Sequence, residues 1–175
     1  MAGARVAFRV TDAEEERMTD TQQGQETEFY SGVAGEFLQH YGRGPRFVAV
    51  TGVPDADPTR VADAFAAALR DAGHETERVT LGNGIAADEF REDVVAPFRS
   101  RDGVLVVDGA GLLSPEFRGF WNFSLWVEHD PERSPDWSFV TTGQKDPLGA
   151  PREVASVLLD DTDPERPRRL WADSC

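Results

Sequence analysis

Gly52 and Thr59 bracket the segment Gly52-Val53-Pro54-Asp55-Ala56-Asp57-Pro58-Thr59, which joins an apolar, β-branched run to an amphipathic one. A loop that cradles phosphate between a strand and a helix reads G-x-x-x-x-G-K-[ST]. Its glycines let backbone N–H groups approach the anion, its lysine holds the outer phosphates and its hydroxyl reaches Mg²⁺. Aligned on that pattern, the chain keeps the first glycine as Gly52 and the hydroxyl as Thr59, but carries Asp57 for the second glycine and Pro58 for the lysine.

The replacements change the chemistry as well as the match. Asp57-Pro58 is a helix start, with a capping carboxylate followed by proline at the first helical position. Such a carboxylate accepts hydrogen bonds from the free N–H groups that would otherwise be left for phosphate. Asp55 adds a second negative charge, and one pair of charges about 4 Å apart amounts to roughly 4 kcal/mol at an effective dielectric of 20, here repulsive toward an anion. Nucleoside triphosphate is therefore expected to bind weakly or not at all. The plain alternative is a capped turn between strand and helix. A further option is an oxygen-only cation site in which Asp55, Asp57, Thr59 and Asp108 converge, suiting Mg²⁺ or Ca²⁺.

The elements that must position these residues follow from periodicity. Phe29, Val33, Phe37 and Tyr41 form one apolar stripe and predict a helix from Glu28, ended by Gly42 and Gly44-Pro45. Phe47–Thr51 reads as a buried strand, and Thr59–Ala72 as a helix with Val61, Phe65, Ala68 and Leu69 on one face and Gly73 at its end. Thr76–Leu81 reads as a second strand. Asp88–Phe98 reads as a helix with Phe90, Val94 and Phe98 aligned, ended or kinked by Pro97. Gly103–Asp108 is the most apolar strand and should be central. A short helix from Ser114-Pro115 to about Phe120, a fourth strand Ser124–Glu128 and a fifth Val154–Leu159 complete the pattern. Strands alternating with helices predict a mainly parallel, five-stranded sheet in a three-layer α/β/α arrangement.

The 175 residues are enough for one domain with a core. Residues 28–175 are expected to form it, and residues 1–27, poor in apolar side chains after Val10, are expected to be disordered. Glu14-Glu15-Glu16-Arg17 would be encoded by purine-rich codons just before Met18, the pattern of a ribosome-binding site, so Met18 is an expected start. With 18 Lys and Arg against 32 Asp and Glu the formal net charge is −14. That average field repels nucleic acid and acidic membranes. No window is apolar enough to span a membrane or serve as a signal peptide, and a cytoplasmic location is expected. The single cysteine, Cys175, excludes an internal disulfide. His40, His74 and His129 show no metal-ligand spacing, and Ser31, Ser114 and Ser138 lie in no nucleophile-elbow pattern. Phe120, Trp121, Phe123, Trp126 and Trp137 are expected to pack in the core, or to form a partner surface if exposed. Of the 18 basic residues only Lys145 is a lysine, a bias that suits a high-GC genome or a salt-adapted proteome.

Several segments together carry a likeness. VAVTGVPDADPTRVADAFAAALRDAG is followed by EFREDVVAPF at Glu89–Phe98 and by GVLVVDGAGLLSPEFRGFWNFSLWV at Gly103–Val127. Near the C-terminal end stand Gly143-Gln144 and LDDTDPERP at Leu159–Pro167. From about residue 30 to 170 this constellation resembles the uridine kinase-like branch of the P-loop nucleoside kinases, including members whose phosphate loop is itself degenerate, of the form DGAPAADP. The resemblance implies a P-loop NTPase fold, with Gly52 as the first loop glycine, Thr59 as the Mg²⁺-binding hydroxyl and Asp108 as the acid at a Walker B position. The lysine has no counterpart. Leu81–Ile85 leads almost directly into the next helix, without the acidic and aromatic segment that surrounds the nucleoside in those kinases. The lid region Asp130–Pro147 offers only Arg133 and Lys145 as cations. Phosphoryl transfer depends on positioning and charge stabilisation, so these losses remove its main sources.

The reading favoured by the sequence is a non-catalytic binding or regulatory module. Gly52, Asp57, Thr59 and Arg133 are its nucleotide-contacting positions and Thr59 and Asp108 its metal positions, with a nucleotide, another small molecule or a protein as partner. The alternative is a nucleoside or small-molecule kinase that uses Mg²⁺ with ATP and draws a cation from Arg60, Arg133 or Lys145.

Overall fold

The computed structural model describes residues 12–129 and 151–170, with side chains from residue 24 onward. Six strands form one sheet: β1 (Pro45–Gly52), β2 (Thr76–Thr80), β3 (Gly103–Asp108), β4 (Phe123–Glu128), β5 (Val157–Asp160) and β6 (Arg168–Leu170). Their order is β2-β3-β1-β4-β5-β6, parallel except for β6, which runs antiparallel to β5. All five expected strands are present. The sixth escapes a reading by apolar content because it is Arg-Arg-Leu, a short charged edge of the kind that discourages further strand pairing.

Because strand side chains alternate, each inner strand feeds two cores. On one face Val48, Val50, Val104, Val106, Leu125 and Val127 pack under α1 (Asp12–His40) and α2 (Pro58–Asp71). Phe37 is the hinge of that layer, its ring 6.2 Å from Phe65 and 5.4 Å from Phe123. On the opposite face Phe47, Ala49, Leu105 and Val107 meet Phe90, Val95, Phe98 and Phe117. Helices therefore lie on both sides of the sheet, and the expected three-layer α/β/α architecture is the one observed. No helix among the described residues is long and apolar enough to cross a membrane.

Four local expectations are corrected. The first helix begins at Asp12 rather than Glu28, so residues 12–27 continue the helix where composition predicted disorder. The segment 88–98 is not one helix kinked at Pro97: α3 (Ala87–Phe90) passes through a π turn (Arg91–Val95) into α4 (Ala96–Phe98). Proline lacks an N–H and its ring collides with the carbonyl four residues back, and a widened turn removes both problems without a break. The extra residue shifts the buried stripe to Phe90, Val95 and Phe98, leaving Val94 half-buried. The helix expected at Ser114 is a run of tight turns, with Ser114 O accepting from both Phe117 N and Arg118 N at 3.0 Å, and only Arg118–Phe120 is 3₁₀-helical. Val154 ends a short helix, α5 (Pro151–Val154), and the fifth strand starts at Val157.

The aromatic concentration is mostly packing. Phe123 is buried, and Phe120 and Trp121 close around Phe90 at 5.3 and 5.5 Å. Trp137 lies outside the described residues.

Candidate functional site

In parallel α/β sheets ligands sit at the carboxyl ends of the strands, and here those ends carry an unusual row of acids. Register brings Val50 and Thr80 to either side of Asp108, and Glu128 beside Asp160. Asp108, Glu128, Asp160 and Asp161 are all buried. Each is answered by an arginine: Arg78, Arg152, Arg168 and Arg60 respectively.

The first loop is held close to the sheet. Val53 N donates to Val127 O at 3.0 Å, Ala56 N to Val53 O at 3.0 Å, and the His129 ring Nε2 lies 3.0 Å from Asp55 O. Gly52 is there because nothing larger fits: a Cβ on it would stand 2.1 Å from Val127 O. Its glycine character thus serves the contact with β4. Asp57 caps α2, its Oδ1 accepting from Arg60 N at 3.0 Å, and Pro58 occupies the first turn. The C-terminal end of α2 closes as the sequence predicts, with Gly73 at φ 86° and His74 N donating to Leu69 O at 3.0 Å.

Thr59 and Asp108, paired by the sequence reading, do meet. Thr59 Oγ1 donates to Asp108 Oδ2 at 2.7 Å. The other carboxylate oxygen, Oδ1, accepts from Thr80 Oγ1 and from Arg78 Nη2, both at 2.9 Å. Arg78 Nη2 also donates to Thr59 O at 2.9 Å, while Nη1 lies 3.0 Å from Asp63 Oδ1 on α2. Arg78 and Thr80 share the β2 face that looks toward α2, as Asp108 does on β3, because all three occupy alternate positions in register. Asp55 and Asp57 do not join them: one lies beside His129 and the other is at the cap. Among the described residues no group of three or more His, Cys, Asp or Glu side chains is placed to hold a metal ion. Arg133 and Lys145 lie outside the described residues.

Arg60, the third cation considered from sequence, is engaged elsewhere. Its guanidinium pairs with Glu26 on α1 and Asp161 beyond β5, and donates to Pro164 O at 3.2 Å. Burial raises the Asp161 carboxyl above the ordinary carboxylate value despite the opposing pull of Arg60. Burial likewise raises the neighbouring Tyr30 phenol, whose hydroxyl has no hydrogen-bond partner among the described residues. On the other face Glu128 accepts two hydrogen bonds at 3.0 Å from Arg152 and one at 3.0 Å from Trp126 Nε1.

Sequence reasoning missed Arg78 and Arg152, whereas the pairing of Arg168 with Asp160 is the local charge pairing expected between the acidic run Asp160–Glu165 and Arg166–Arg169. The signal for Arg78 was its spacing of two from Thr80 inside a strand, which acquires meaning only once β2 is registered against β3. A separate cleft of about 170 Å³ at the amino ends of β4 and β5 is lined by Leu113, Trp121, Ser124, Val154 and Ser156 among others, and its two serines are tied to each other's backbone N–H.

No protein family matches the sequence, and no curated protein matches it either. Two solved structures are similar in chain path. One is described as a possible uridine kinase from Bacillus stearothermophilus, at 11% identity and a TM-score of 0.46, covering 66% of this chain and 88% of that one. The other is a candidate fructose transport system kinase from Silicibacter sp. TM1040, at 16% identity and a TM-score of 0.42, covering 61% of this chain and 76% of that one.

Proposed function

We propose that this chain is a uridine kinase-like α/β protein that has kept the architecture of a phosphate-binding site and lost the binding, and that it works as a non-catalytic binding or regulatory module. The observation that carries this reading is the Asp57 cap. Its carboxylate takes the Arg60 N–H at the start of α2, in the place where a phosphate oxygen would have to bind. An incoming triphosphate would meet this carboxylate and that of Asp55, with no lysine in the loop to offset them.

The residues present do not fit Mg²⁺ with ATP. Asp108 Oδ1 already accepts from a guanidinium, and Arg60 is bound to Asp161. The test is thermal melting of the full chain with millimolar Mg·ATP, Mg·GTP or uridine. The expected result is no ligand-dependent rise in Tm, whereas a saturable rise for either triphosphate contradicts the reading.

One observation favours the kinase alternative: Thr59 Oγ1 faces Asp108 Oδ2 at 2.7 Å, the pairing of hydroxyl and acid that such enzymes place around Mg²⁺. That reading requires ATP-dependent phosphorylation of a nucleoside or other small molecule, and transfer abolished by Thr59→Val.

A further inference from the structure

We infer that Arg78 is a built-in cation, its guanidinium seated from β2 where a divalent metal ion would otherwise be held between α2 and the end of β3. The inference deepens the reading above and rests on it for the ancestry of the site. Its physical basis is independent of nucleotide.

Three oxygens converge on this one side chain, and the Thr80 hydroxyl bonds to one of them. Asp108 Oδ1 and Thr59 O each accept from Nη2 at 2.9 Å, Asp63 Oδ1 lies 3.0 Å from Nη1, and Thr80 Oγ1 shares Asp108 Oδ1 at 2.9 Å. Carboxylate and carbonyl oxygens, here from α2 and β3, are donors that hard cations take. Two of the donors are carboxylates, one of them 1% exposed, so an emptied seat would leave a buried negative charge with hydroxyls as its remaining partners.

Arg78 differs from Arg168 and Arg152, the more exposed arginines of the row. Arg168 and Arg152 reach their acids from side chains 63% and 39% exposed, whereas Arg78 is 17% exposed. Its Nε is buried with no acceptor among the described residues, so the stem is not placed for its own hydrogen bonding. The charged end is what the site uses. A guanidinium carried on the chain itself is a tethered countercharge, where a metal ion would come and go. Together with Asp57 it gives the site an internal stand-in for each half of a metal–phosphate ligand, an anion at the helix start and a cation at the strand end.

The test compares the full-length wild type with R78M, which keeps an aliphatic stem, in calorimetric and melting titrations with Ca²⁺ and Mg²⁺ at constant ionic strength. R78M is expected to bind one Ca²⁺ at least about tenfold more tightly than wild type, with a Tm rise reversed by EDTA and lost in R78M/D108N. Melting of R78M unaffected by either cation overturns the inference, as does wild type binding Ca²⁺ equally well. Should R78M be unfolded without metal, folding driven by Ca²⁺ supports the inference. Should it be unfolded with and without metal, R78Q is read in the same way, and a cation-independent R78Q overturns it. Failure here leaves the nucleotide result standing, and wild-type binding of Mg·ATP would overturn the functional reading without touching the R78M comparison.

Discussion

Gly52 and Val127 lie in register on adjacent parallel strands, so close that a Cβ at position 52 would fall 2.1 Å from the Val127 carbonyl oxygen. The contact is with backbone, which cannot rotate away. Gly52→Ala must therefore displace β4 or the loop, and is expected to cost about 2–3 kcal/mol, the upper range for an overpacked site. Gly82, with nothing within 4 Å of its would-be Cβ, serves as the control. Urea midpoints at constant m-value check both, and a near-neutral G52A would show that the approach of loop to strand is not rigid.

Asp57→Ala removes the cap of α2 and is expected to cost about 0.5–2 kcal/mol, with Asp57→Ser recovering most of it. The double change D57G/P58K rebuilds the loop pattern but leaves Asp108 paired with Arg78. It is expected to show no Mg·ATP-dependent rise in Tm. A rise in that variant would mean that the loop alone excludes the nucleotide.

Two carboxylates give the stability opposite dependences on pH. The Arg169 hydrogen bond holds Glu36 below the ordinary carboxylate value, so its contribution is present at neutral pH and is lost as pH falls through the folded-state value. Glu36→Gln should thus lose about 0.5 kcal/mol at pH 7, the scale of a half-exposed pair, and match wild type in acid. Asp161 is raised by burial, so its contribution is present below its unfolded value and is lost as pH rises through the folded one. The stability of Asp161→Asn relative to wild type should be more favourable at pH 7 than near pH 4. Denaturant midpoints across that range check both slopes.

Local rules carried the strands well because the inner ones are continuous apolar runs, and Gly103–Asp108 was legible with its boundaries. They also carried Asp57-Pro58, whose cap needs only residues three apart. They failed where tertiary packing overrides the local pattern. The π turn before Pro97 shifts a helical face by one residue, and no spacing rule on a regular helix contains that shift. Half of the site was hidden for the same reason. Thr59 and Asp108 were found as residue types, but Arg78 stands in a strand, Thr-Glu-Arg-Val-Thr, that looks merely polar. Its role depends on the parallel pairing of Arg78 with Val106, two residues short of Asp108, and that register is set by contacts distant in sequence.

The most direct measurement is isothermal titration of the folded, full-length protein with Mg·ATP, repeated at high salt to screen the net charge of −14. No saturable heat is expected up to millimolar nucleotide at either ionic strength, as proposed from the Asp57 cap and the Arg78–Asp108 pair. Micromolar, stoichiometric binding would contradict the proposed loss of nucleotide binding.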